Sequence, residues 1–85
     1  MLYLEDIKDE QMANNAVADC EIAAIEASEA INNKRNKITR AERDIKMFMK
    51  LCVLRKWQAP MKALQDMLDR LSEAKLELQV NLWRS

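Results

Sequence analysis

Residues 13–52 read ANNAVADCEIAAIEASEAINNKRNKITRAERDIKMFMKLC, and the spacing of apolar residues within them decides the fold class. Ala13, Val17, Cys20, Ala24, Ala27, Ile31, Lys34, Ile38, Ala41, Ile45, Phe48 and Cys52 alternate steps of four and three without a slip, and only Lys34 is polar. That alternation is the signature of a coiled-coil-like seam along one face of an α-helix. Ala16, Ala23 and Ala30 widen the stripe on one side. The early seam residues are small and the later ones large. Folding the stretch back on itself about residue 36 sets Ala27 near Ile45, Ala24 near Phe48 and Cys20 near Cys52. Small then faces large, as interdigitating layers require.

Charge points to the same antiparallel arrangement. Residues 1–33 carry eight acids and one base, a net of −7, and residues 34–62 carry ten bases and two acids, a net of +8. A parallel pairing would stack like on like. Exposed pairs contribute little energy each, so the segregation selects orientation more than it stabilises. Two arrangements satisfy both patterns. In one, the chain turns over residues 33–37 and forms a hairpin. In the other, one helix runs from about residue 5 to about residue 58 and two copies pair antiparallel. Asn32, Asn33 and Asn36 favour the turn, since asparagine follows glycine as a left-handed cap. Thr39-Arg40-Ala41-Glu42 has the spacing of a capping box. The unbroken phase from Ile31 to Ile38 favours the continuous helix.

Beyond this stretch, Pro60 marks a boundary, because proline pushes the preceding residue out of helical geometry and itself suits a first helical turn. Met61, Leu64, Leu68, Leu71, Lys75, Leu78 and Leu82 then repeat the three-and-four spacing, which predicts a further helix to about Trp83. Asp66 and Arg70 sit at i,i+4 on its polar side. Its leucine seam is expected to pack on second apolar faces: Ala18, Ile22 and Ile25 early, and Met47, Val53, Leu54 and Trp57 later. The fold class read from the sequence is all-α, a single domain over residues 1–85. It is a helical hairpin plus a third helix after Pro60, a three-helix coiled-coil-like bundle, or else a long helix plus a shorter one.

Composition supports this and excludes much else. The 85 residues contain no glycine and one proline, which suits long helices and not tight hairpins between strands. Histidine is absent, removing the commonest general base and metal ligand together. Without glycine there is no phosphate-cradling loop of the usual kind. The carboxylates are scattered along helix faces. Neither catalysis nor a cofactor or metal site is expected. No run approaches the roughly 20 apolar residues of a membrane helix. Met1-Leu2-Tyr3-Leu4 is followed at once by Glu5 and Asp6, unlike a signal peptide. Two distant cysteines point to a reducing, cytoplasmic setting, with Cys20 and Cys52 as small seam residues.

A chain this short buries only roughly 60–65% of its unfolded surface, and residues 47–57 are apolar nearly all round. A homo-oligomer is therefore expected, with a core of Val17, Cys20, Ala24, Ala27, Ile31, Ile38, Ile45, Phe48, Cys52, Trp57, Leu64, Leu68, Leu71 and Leu78. The leading functional expectation is a small helical regulator or inhibitor that docks on another protein. Its style is that of bacteriophage antirepressors and anti-defence proteins, an analogy of size and charge pattern alone. Met12, Glu21, Ile22, Ile25, Glu26, Glu29 and Trp83 are the candidate contacts, with Tyr3 and Trp57 as further aromatic anchors. A structural coiled-coil scaffold subunit is the second reading. Nucleic-acid binding through the basic segment 34–56, led by Arg40, Arg43, Lys46 and Lys50, is the third.

Overall fold

The computed structural model describes the backbone of residues 4–84 and the side chains of residues 4–80. Within them lie a 3-10 turn at Leu4–Asp6 and three α-helices: α1 (Glu10–Glu29), α2 (Lys34–Arg55) and α3 (Gln58–Arg84). Short connections make successive helices antiparallel, and all three pack on one another in a bundle of 47 × 20 × 15 Å. The hairpin expectation is thus met, and the continuous helix through residues 32–37 is not.

Each helix end has a local cause. Asp9 caps α1, its Oδ1 accepting the Met12 N–H at 2.8 Å. Just before it, Ile7 is buried in the core, a role the seam pattern did not reveal. The break between α1 and α2 falls at residues 30–33, earlier than the expected 33–37. Ala30 leaves helical geometry with ψ 139. Asn33 then takes the left-handed conformation, φ 56, and its carbonyl accepts the Lys37 N–H at 2.9 Å. Asparagine tolerates this region better than most residues. Thr39 therefore lies inside α2, and its capping-box spacing starts no helix.

The earlier break puts Ile31, expected in the seam, into the connection, where it is 95% exposed. Cys20 and Cys52, expected near each other, are both buried in the shared core, and Cys52 adds to the upward shift of the Cys20 thiol.

At the far end, Lys56 is left-handed with φ 62. Its N–H donates to the Val53 carbonyl, and the Trp57 N–H donates to the Cys52 carbonyl at 2.9 Å. This paired closure is a Schellman motif with lysine where glycine usually stands. Pro60 is buried in the first turn of α3, where its missing N–H costs no helical bond.

The core joins the seams of all three helices: Ala13, Val17, Cys20, Ala24 and Ala27 from α1, Ile38, Ile45, Phe48 and Cys52 from α2, and Leu64, Met67 and Leu71 from α3. Trp57, Leu68 and Leu78 are half-buried against it. The α3 seam thus packs on the first apolar face of α1 and α2. The second face, its expected host, stays at the surface: Ile22, Ile25, Met47, Val53 and Leu54 are all exposed. Three seams facing one axis share a single dry core; a third helix on the second face would split it in two.

Candidate functional surfaces

The exposed residues fall into two outward stripes. On α1, Ala18, Ile22, Ile25 and Glu29 follow steps of four, three and four, on the side opposite the buried seam. Ile22 is 57% exposed and Ile25 47%. Asp19, Glu21 and Glu26 flank them, and α1 contains no basic residue. On α2, Arg40, Arg43, Met47, Lys50 and Leu54 follow steps of three and four on the exposed side, with Lys46 and Val53 beside them. Leu54 is 80% exposed and Val53 61%.

The second stripe borders a groove. Met49, Lys50, Val53, Leu54 and Met61 line a shallow apolar hollow of about 500 Å³ between α2 and α3. Further along the same helix pair, Thr39, Glu42, Arg43, Lys46, Met47, Lys50 and Lys75 line a more polar hollow of about 310 Å³. The face is therefore apolar near the α2–α3 turn and basic toward the start of α2.

The opposite charges on α1 and α2 do not neutralise one another by contact. Among the described residues the only ion pair joins α2 to α3: Lys75 Nζ lies 3.4 Å from Glu42 Oε1, with Ser72 Oγ 3.5 Å from Glu42 Oε2. Asp66 and Arg70 form no pair, and Asp69 instead accepts a bond from Gln65 at 3.0 Å. Antiparallel packing brings the apolar seams together and turns the charged stripes outward.

Cys20 and Cys52 are buried and free. Burial pushes the Cys20 thiol from 9.0 up to about 11, with Asp44, Asp19 and Cys52 adding to it. Burial raises Cys52 as well, helped by Glu10. Both are held as neutral thiols, the unreactive form. Among the described residues no three acidic or cysteine side chains converge as metal ligands, and no helix is long and apolar enough to cross a membrane.

Of the contacts expected from sequence, Met12, Glu21, Ile22, Ile25, Glu26 and Glu29 are all exposed on α1. The side chain of Trp83, like Tyr3, lies outside the described residues. The seam pattern accounts for Met61 and does not single out Met49 as a groove residue; the adjacent apolar pair Val53–Leu54, off the seam, is the sequence signal that marks this face. The sequence matches no protein family, and no curated protein or solved structure is similar to it.

Proposed function

We propose that this protein is a small helical regulator that acts by docking on another protein through the α2–α3 face. The observation that carries this reading is the groove of Met49, Val53, Leu54 and Met61, left open to solvent beside Arg43, Lys46 and Lys50. An apolar strip rimmed by one sign of charge fits an amphipathic helix of opposite rim charge. The apolar residues supply affinity, and the rim sets orientation and encounter rate. The partner element is accordingly an acid-rimmed amphipathic helix. The regulator would act by covering that helix and whatever it normally contacts.

The test compares proteins retained by the immobilised chain from a lysate of its source. Three forms are used: the natural chain, Val53→Asp with Leu54→Asp, and Ile22→Asp with Ile25→Asp. All four positions are exposed, so the bundle remains folded. A protein retained in fixed stoichiometry by the natural chain and lost with the groove variant supports docking there. Equal retention by all three forms overturns it.

One observation favours a second reading. Arg40, Arg43, Lys46, Lys50 and Lys75 cluster along one groove system, a pattern that also suits phosphates. Binding to labelled duplex or single-stranded nucleic acid at about 50 mM salt, weakening steeply as salt rises, would support it; no binding there removes it.

A further inference from the structure

Resting on the docking reading of the α2–α3 face, we propose that a second copy of this chain is one of its occupants, seating its α1 on the α2 stripe of the first. The α1 stripe has the composition that the groove calls for. Ile22 and Ile25 form an apolar centre, rimmed by Asp19, Glu21, Glu26 and Glu29. The α2 stripe answers with Met47 among Arg40, Arg43, Lys46 and Lys50, and with Val53 and Leu54 just past the end of that basic run. The two rims match in length. Asp19 to Glu29 and Arg40 to Lys50 each cover ten residue steps, about 15 Å of helix.

Neither rim is consumed within the chain, since the only ion pair among the described residues uses Glu42 and Lys75. The charge segregation visible in the sequence is therefore directed outward, between molecules. Like-on-like pairings of α1 with α1, or α2 with α2, set charges of the same sign against each other.

The size of the contact fixes its strength. Even the whole of α1, 20 residues, offers a face only about 30 Å long and about 10 Å wide. That is on the order of 300 Å², against about 800 Å² per partner in a standard stable complex. One such contact gives a weak, reversible association dominated by rim electrostatics. The contact uses a different helix from each copy, so unless two copies exchange it reciprocally a paired molecule still offers a free α1 or a free α2. Such contacts close into a ring or continue into longer assemblies. They also occupy the face assigned to the protein partner, so self-association and docking compete.

Sedimentation of the chain from micromolar to millimolar concentration tests this at two salt levels. At about 0.01 M salt the screening length is about 30 Å, and at about 1 M it is about 3 Å. The average mass is expected to rise above the 9.9 kDa of one chain at low salt and to fall back toward it at high salt. Two charge-reversed forms then identify the surfaces. Glu21→Lys, Glu26→Lys and Glu29→Lys together make the α1 rim basic; Arg40→Glu, Arg43→Glu and Lys50→Glu together make the α2 rim between residues 40 and 50 acidic. Each form alone is expected to stay at the mass of one chain, and an equimolar mixture to associate again. Circular dichroism checks that both remain helical.

A single-chain mass throughout overturns the proposal, as does association that both reversals leave unchanged. Either result leaves the docking reading standing on its own test, the Val53 and Leu54 variant. If that variant loses its partner while charge-reversal complementation succeeds, both readings hold.

Discussion

Lys75 Nζ lies 3.4 Å from Glu42 Oε1 across the α2–α3 contact, and this ion pair joins the two helices on the polar side of their groove. Glu42 is one of only two acids in α2, so the pair removes a carboxylate from an otherwise basic face. Glu42 is the more buried partner, its side chain 12% exposed against 30% for Lys75. Replacing the lysine by Lys75→Met keeps the stem packed and strands the carboxylate. The expected loss is about 0.5–1 kcal/mol in chemical denaturation, shrinking at high salt. A loss that salt leaves unchanged would mean that the charge of the pair is not its source.

Phe48 has no exposed surface and is the largest side chain of the shared core. Phe48→Ala removes a ring that the small α1 residues cannot replace, so a cavity remains. The expected cost is about 3–5 kcal/mol, a large share of what a domain of this size possesses. Thermal unfolding by circular dichroism should show a melting transition lost or lowered by tens of degrees. Met47→Ala, one residue away but exposed, should shift it little.

Lys56 closes α2 in the left-handed region, φ 62, where a β-carbon is costly. Lys56→Gly relieves that strain at some expense in unfolded-chain entropy. The expected gain is about 0.5–1 kcal/mol, a few degrees in melting temperature. A destabilising effect would mean that the lysine side chain makes a contact worth more than the strain.

The Cys20 thiol predicts an alkaline limit to stability. Its folded value, about 11, is above its ordinary 9.0, so the folded state holds the proton more tightly than the unfolded chain. The associated stability is fully present below pH 9 and is lost as pH rises toward about 11. Melting temperature measured across that range should fall, and Cys20→Ala should flatten the fall. The same burial predicts that thiol reagents label the folded chain at neutral pH far more slowly than the unfolded chain. Labelling at equal rates would contradict the buried position of both cysteines.

Much of the architecture was legible in the sequence because it depends on periodicity. The unbroken steps of three and four from Ala13 to Cys52, with no glycine anywhere, leave helices as the economical way to bury that stripe. Pro60 falls in the first turn of the third helix, which begins two residues earlier at Gln58, so Ala59 before it is helical and not displaced as expected. The antiparallel sense followed from the small-to-large gradient and from the charge split, and the bundle keeps that sense.

The position of the first turn needed the tertiary structure. The heptad runs through Ile31 to Ile38 without a phase change, so periodicity alone could not place the break at residues 30–33. The bundle fixes it there, turning Ile31 out to solvent and putting Asn33 at the left-handed position. The fate of the second apolar faces was likewise not local information. Whether Ile22, Ile25, Met47, Val53 and Leu54 are covered depends on where α3 lands. It lands on the seam already shared by α1 and α2, because one core excludes water from three helices at once. The sequence by itself determined that the helices form and which stripes are apolar. Only the tertiary structure decided which stripes meet inside and which, with their unspent charges, remain outside.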